Sequence, residues 1–347
     1  MNGEPINPYH ITSTWLTEVL RDQGLLRIGG RVTAFQIVNS MASKVATSLI
    51  VRVWYDDSSI DMPSRYFLKI THPGFAYGAC EVEFYEAVNE IGWTPKSPFV
   101  HCYAAWTNAF GQACLLLDDL SQSHFTPAKN VMPSEQHTQQ AIRTLAQAHA
   151  YWWERTPSGQ KPNTDYLDNM GAGRLKSMQA YAEFMGSEVP SARRKTYERI
   201  VMTWPLPNRR KRAMAGSALT LIHRDAHPWN FLYAFNPAHQ AYLIDWQSWR
   251  VGTATNDLAY LLAAFWEPKE RRQIEQSMMH LYYETLVKSG VNNYTWDEFW
   301  EDYRASIVRS AVMLVGGWNA SRGKDRRIQR VMSAFDDWEC EDLLVTS

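Results

Sequence analysis

The chain is poor in cysteine, with four in 347 residues. Cys80, Cys102, Cys114 and Cys340 form no close C-x-x-C pair. A zinc cluster or a dense disulfide framework is therefore not expected, and reduced, mostly structural thiols are. Charge of either sign is not in excess: 35 Lys and Arg face 36 Asp and Glu, for a net charge of -1, which gives no global attraction to nucleic acid. Long apolar runs are also missing. Leu258 to Trp266 falls far short of the roughly 18 residues of a membrane span. The amino terminus has Glu4 and polar residues where a secretory leader needs a basic and then an apolar segment, so the expected location is the cytoplasm. There is no internal repeat, low-complexity tract or sustained heptad pattern, and no obligate protein partner is evident.

Apolar residues make up 45% and charged residues 20%, enough for a sizeable core and against wholesale disorder. The length leaves room for about two domains at roughly 150 residues each. The most informative stretch runs Leu221-Ile222-His223-Arg224-Asp225-Ala226-His227-Pro228-Trp229-Asn230, followed by Leu243-Ile244-Asp245-Trp246-Gln247. Leu219, Leu221 and Ile222 predict a buried strand, and Pro228 keeps the next residues out of a regular helix. Two short strands, 231–235 and 241–244, around Asn236-Pro237 would return Asp245 toward that loop. Three oxygen-bearing side chains can then converge.

Such a set suits phosphoryl transfer, in which a protein mainly positions groups and neutralises charge. Asp225 can take the proton of an attacking hydroxyl, and Asn230 and Asp245 offer hard oxygens to magnesium. His223 is expected to prop the loop. Taken singly, Asp225 and Asn230 would be ordinary turn residues, but H-R-D-x-x-x-x-N is the spacing of a kinase catalytic loop.

Upstream, Thr12 or Ser13 can cap a docking helix with Trp15, Leu16, Val19 and Leu20 on one side. Strands are predicted at 31–38, 46–55, 65–70, 99–106 and 112–117, making an antiparallel sheet of about five. The turn at 39–45 carries Ser40 and Ser43, small polar residues able to cover ATP phosphates or simply to close a hairpin. Lys69 lies on an apolar strand. On the helix at 79–91, a wheel at 100° per residue places Glu81 among Phe84, Tyr85, Val88 and Ile91, so its carboxylate needs a partner, and Lys69 is the obvious one.

From Ser134 the pattern is helical: Ile142, Leu145, Ala146, His149 and Trp153 recur on one face, and His149 reads as a hydrogen-bonded packing residue. Further helices are expected at 163–186, 191–202, 269–289 and 295–318, the last opened by a Thr295 to Glu298 capping box. Asp257 sits at the start of a buried helix, in a structural role. The basic run at 208–212 reads as a solvated turn.

His223 to Asn230, with Ile244 to Gln247 and Asp257 to Leu262, resembles the aminoglycoside phosphotransferase and choline kinase superfamily. The I-D-W-Q form is similar to its ecdysteroid-kinase-like branch. The resemblance implies an α+β, bilobal protein-kinase-like fold, with an N-terminal antiparallel sheet lobe at 1–118 that binds nucleotide. A mainly helical catalytic and substrate lobe would follow at 119–347. It implies ATP- and Mg2+-dependent phosphorylation of a hydroxyl on a small organic molecule, the Lys69-Glu81 pair, and an L-x-x-D-L segment whose backbone beside Leu117 meets adenine. The chain departs from the protein-kinase pattern in lacking a glycine-rich loop.

Two alternatives share these motifs, a protein kinase and a noncatalytic nucleotide-binding scaffold. Asp257 follows Asp245 closely and no A-P-E motif closes a peptide-binding segment, which disfavours the first. Retention of Lys69, Asp225, Asn230 and Asp245 disfavours the second. Trp229, Trp246, Trp249 and Trp266 could line the acceptor, and an acidic tail from Asp336 to Asp342 could favour a cationic one, unless the tryptophans fill a core and the tail is solvated; the resemblance implies a neutral polyhydroxylated acceptor as the alternative.

Overall fold

The computed structural model describes residues 5–56, 62–75, 77–94, 97–155, 157, 171–207, 211 and 215–344. The helical segment expected at 163–170 lies outside the described residues, as does the basic run at 208–212 apart from Lys211. The chain divides into two compact units: 1–125 with 234–249, and 126–233 with 250–347. Sequence alone suggests a single cut after 118, whereas the structure groups 234–249 with the first unit.

The first unit is built on helix α1 (Ser13–Asp22) and strands β1 (Val32–Ala42), β2 (Ala46–Tyr55) and β3 (Arg65–Thr71), then helix α2 (Gly78–Ile91) and strands β4 (Cys102–Thr107) and β5 (Ala113–Asp118). The five strands form an antiparallel sheet in the order β1-β2-β3-β5-β4. Period-two alternation sends Leu49, Val51, Val53, Tyr66, Leu68, Ile70, Cys114 and Leu116 into one core cluster. Helix α1, capped by the Thr12 hydroxyl accepting from Trp15 N–H at 3.1 Å, completes that cluster with Leu16, Val19 and Leu20. Each buried Leu, Ile or Val among them contributes about 1.5–3 kcal/mol. On β3 the odd positions face the other way. Lys69, between Ser48 of β2 and Leu115 of β5, therefore lies on the opposite face of the sheet from the α1 cluster, while α2 packs on β4 and β5.

Strand β1 runs past the expected end at 38, because Asn39, Ser40, Met41 and Ala42 keep pairing with Ile50, Leu49, Ser48 and Thr47. The sheet's ladder outweighs the low strand propensity of these polar residues.

The second unit is mainly helical: α3 (Glu135–Tyr151), α4 (Gly171–Met185), α5 (Ser191–Thr203), α6 (Thr255–Phe265), α7 (Pro268–Lys288), α8 (Trp296–Gly316) and α9 (Arg326–Asp337). Ser134 caps α3 by accepting from His137 N–H. The capping box of α8 is present, with Glu298 N–H donating to Thr295 Oγ1 at 3.2 Å and Thr295 N–H to Glu298 Oε2 at 2.8 Å. Helix α6 is buried nearly all round and packs on α8 and α9, while α3 packs on α7. Two short strands, β6 (Thr220–Ile222) and β7 (Arg250–Gly252), pair antiparallel beside this bundle. They approach so closely that a Cβ on Gly252 would stand 2.6 Å from Ile222 Cδ1. Short strands also form at Phe231–Ala234 and Tyr242–Leu243.

Candidate active-site residues

In the first unit the structure brings together Lys69, Glu81 and Asp245. Lys69 Nζ lies 2.6 Å from Glu81 Oε2 and 2.7 Å from Asp245 Oδ1. Glu81 is buried, as its place on the apolar face of α2 predicts, and also accepts from the Trp246 N–H. Asp245 Oδ2 accepts from Gln247 Nε2 at 3.1 Å. Burial works against the Lys69 charge, but Glu81 and then Asp245 outweigh it and hold the ammonium protonated well above its ordinary range. Burial raises the Glu81 carboxyl above its ordinary range, with Lys69 opposing the rise and the Asp245 charge adding to it. One cation thus serves two carboxylates, leaving an excess negative charge when all three are ionised.

The backbone of Asp245 is left-handed, φ 69° and ψ 55°, a strained conformation for a non-glycine residue that is kept where the surroundings fix it. The next residue does the fixing. Trp246 is fully buried, stacks on Phe84 with centroids 4.1 Å apart, meets Phe99 edge-on, and donates its indole N–H to Leu243 O at 2.9 Å. Trp249 is buried as well and donates to Cys80 O. These two tryptophans fill the first unit's core and are not an acceptor wall.

Ser40 lies on β1, and the Ser43 hydroxyl closes the β1-β2 turn, donating to Ala46 O and accepting from the N–H groups of Val45 and Ala46. Leu117 is buried near the end of β5, between Phe67 and Cys102.

In the second unit the loop after β6 holds Asp225 and Asn230. Asp257, at the start of α6, accepts from the backbone N–H groups of His223 and of Arg224, the latter at 2.8 Å. Arg224 is left-handed, φ 68°, and this two-pronged anchor holds it there. His223 is buried and its Nδ1 accepts from Asp225 N–H at 3.2 Å, which props the loop. Asn230 Nδ2 donates to Asp225 O at 2.9 Å, so the amide oxygen is the end left for a ligand. The Asp225 side chain is 42% exposed. Its Oδ1 lies 3.4 Å from Tyr260 Oη and its Oδ2 3.8 Å from His227 Nε2.

His149 is fully buried, 2.6 Å from Tyr282 Oη and 3.3 Å from Asp257 Oδ2. It supports the loop through Asp257. Burial would raise the Asp257 carboxyl, but the hydrogen bond and charge of His149, with the N–H and charge of His223, bring it below its ordinary range.

The structural role expected of Asp257 is borne out, though sequence does not say that it holds the loop backbone; Tyr260 is not found by sequence reasoning. A signal existed: Tyr260 follows Asp257 by one helical turn and so shares its face. Sequence reasoning also offered the acidic tail to a cationic ligand. The structure instead pairs four of those five carboxylates within the second unit, Asp336 with Arg193, Asp337 with Arg271 and Arg272, Glu341 with Arg199, and Asp342 with Arg304. Trp266 is buried, whereas Trp229 is half-buried and donates its indole N–H to Ala128 O at 3.0 Å.

The sequence pattern of the ecdysteroid kinase-like family matches residues 76–291, more than half of the chain. No curated protein sequence matches. Among solved structures, a Ralstonia eutropha JMP134 protein assigned to the aminoglycoside phosphotransferases superposes with a TM-score of 0.53 at 15% identity, over 94% of this chain and 97% of that one. A choline/ethanolamine kinase family protein from Mesorhizobium loti gives 0.48 at 11%, over 94% and 98%. A Plasmodium vivax ethanolamine kinase gives 0.46 at 11%, over 93% and 88%.

Proposed function

The chain belongs to the ecdysteroid kinase-like family, and from that premise we propose that it is an ATP- and magnesium-dependent phosphotransferase acting on a hydroxyl of a small organic molecule. The observation that carries the reading is the sharing of Lys69 between Glu81 and Asp245. An ammonium steered by a buried carboxylate is what a nucleotide's phosphates require, and the surplus negative charge at Asp245 suits a divalent cation. Asn230 and Asp245 each supply a hard oxygen. Magnesium is commonly held by one or two side chains completed by phosphates and water, so this donor set fits it; when bound it would neutralise charge on the phosphates.

Asp225 takes the remaining role. Its half-exposed carboxylate accepts the proton of the acceptor hydroxyl as that oxygen bonds to the γ-phosphorus and the bond to the β-γ bridging oxygen breaks, releasing ADP. The backbone beside Leu117 meets adenine. Ser40, on β1, and Ser43, in the β1-β2 turn, are assigned to the phosphates; the Ser43 hydroxyl and the N–H groups of Ser43, Val45 and Ala46 already serve the turn, so the Ser40 hydroxyl is the donor offered. The acceptor is a neutral hydroxyl compound; the arginine-paired tail removes the ground for a cationic one. We place the activity in the cytoplasm; among the described residues, no helix is long and apolar enough to cross a membrane.

The test is magnesium-dependent ADP release across a panel of small alcohols, amines, sterols and antibiotics, with a mixture of serine- and threonine-containing peptides beside it. Release stimulated by a hydroxyl compound, and removed by chelating magnesium, is expected. Release stimulated only by peptides would favour a protein kinase, and none with any acceptor would contradict the reading.

A further inference from the structure

Asp225 has one oxygen approached by a hydroxyl, and the direction of that contact can be worked out. Tyr260 Oη lies 3.4 Å from Asp225 Oδ1. A phenol carries a single proton, so its destination depends on what else approaches the oxygen. Arg327 Nη1 lies 3.3 Å from the same Oη, and a guanidinium only donates. Tyr260 therefore accepts from Arg327, and its own proton is left for Asp225. Burial, reinforced by the Asp225 charge, keeps the phenol protonated far above its ordinary range.

Arg327 is fixed in turn. Its Nη2 and Nε donate to Asp325 Oδ2 and Oδ1 at 2.6 and 3.0 Å. Asp325 caps α9 by accepting from the Arg327 N–H at 3.0 Å. Phe265 restrains the Tyr260 ring edge-to-face at 5.0 Å, and the same Phe265 ring meets Trp229 and His227 at 5.6 and 5.8 Å. The Tyr260 contacts are long for hydrogen bonds, as those of catalytic groups commonly are before the reacting complex forms.

We propose that Tyr260, directed by Arg327, is a positioning residue for Asp225: it holds Oδ1 and leaves Oδ2 to receive the acceptor's proton. This rests on the phosphotransferase reading above. It adds a specific dependence, a line of donors running from the amino terminus of α9 to the carboxylate that meets the acceptor. Rotation of the Asp225 carboxylate would exchange its two oxygens. The Tyr260 proton opposes that rotation.

The test is steady-state ADP release by the full chain from magnesium-ATP with glycerol at molar concentration as acceptor. Wild type is compared with Tyr260→Phe, Arg327→Met, Arg327→Lys, Asp225→Asn and the Asp225→Asn/Tyr260→Phe double variant, each first shown to keep the wild-type Tm. Tyr260→Phe is expected to lower kcat by about 10- to 100-fold, the worth of a hydrogen bond to a charged group, with KM for ATP within about twofold. Arg327→Met should fall in the same range and Arg327→Lys, which keeps a donor, between it and wild type. In the Asp225→Asn background Tyr260→Phe should cost nothing further, because Tyr260 acts through Asp225. Equal kcat for Tyr260→Phe and wild type overturns the inference alone, as does an undiminished loss in the Asp225→Asn background or a loss confined to KM. Wild-type release no greater than that of Asp225→Asn overturns the phosphotransferase reading and this inference with it. If Tyr260→Phe lowers Tm, Arg327→Met decides by the same criteria.

Discussion

Lys69 shows how much one side chain can be asked to do. Its ammonium is shared by Glu81 and Asp245, so Lys69→Met leaves two carboxylates facing each other without a cation. Removing one partner of a fully buried ion pair costs about 3–5 kcal/mol. Here the Asp245 side chain is 30% exposed, which reduces the expected loss to about 2–3 kcal/mol. Urea unfolding at pH 7 measures it, and a loss under about 0.5 kcal/mol would mean that the cluster relaxes freely into solvent. Glu81 was legible because a wheel needs only the sequence, and Lys69 because it sits inside an apolar strand just before that helix. Trp246 was not legible. A tryptophan beside a motif has the same letter whether it lines a pocket or fills a core, and only the stacking on Phe84 decides. Trp246→Ala should cost about 3–5 kcal/mol, the usual loss for a truncated buried aromatic, and calorimetry compared with Trp229→Ala, a half-buried position, would separate the two cases.

Among the elements, α6 carries more function than its apolar run suggests. Its first-turn Asp257 holds two backbone N–H groups of the loop that bears Asp225. Asp257→Asn puts an amide where two donors point, and about 3 kcal/mol of stability is expected to be lost at neutral pH. Because the folded carboxyl lies below its ordinary pKa, its contribution is complete above the unfolded value near 4 and disappears as pH falls through the folded value. The gap between wild type and Asp257→Asn in urea midpoint should therefore be widest at pH 6–7 and narrow below about pH 4; a gap that widens on acidification would contradict the assignment. The strands, helices and capping box were readable because period and cap chemistry are local. The reach of β1 to Ala42 was not, since Asn39 and Ser40 are held by partners in β2 and not by their own preference. The same holds for the donor line into Asp225: D-x-x-Y spacing puts Tyr260 on the right face, but Arg327 comes from another helix.

At the scale of the molecule, the chain leaves its first unit after 125 and returns to it for 234–249. No local signal marks that return, which is why a single cut after 118 was the natural reading. The consequence is physical: a fragment ending at 118 lacks both Asp245 and Trp246, leaving Phe84 without its stacked partner and Lys69 with one carboxylate. Such a fragment is expected to be poorly soluble and to show no cooperative melting transition by circular dichroism. For the full chain, magnesium-ATP at a hundredfold excess over its Kd should stabilise by about 2.7 kcal/mol, and Asp245→Ala should abolish that gain in a thermal-shift measurement.

The most direct measurement follows the γ-phosphoryl group itself, using radiolabelled ATP, magnesium and the acceptor panel with wild type and Asp225→Asn side by side. Wild type should form a labelled phosphate ester on an acceptor hydroxyl, and Asp225→Asn should form it about 10² to 10⁴ times more slowly while still binding nucleotide. Equal rates in the two proteins, or no labelled ester from the folded, magnesium-ATP-bound wild type with any acceptor, would contradict the assignment of this chain as a small-molecule phosphotransferase served by Asp225.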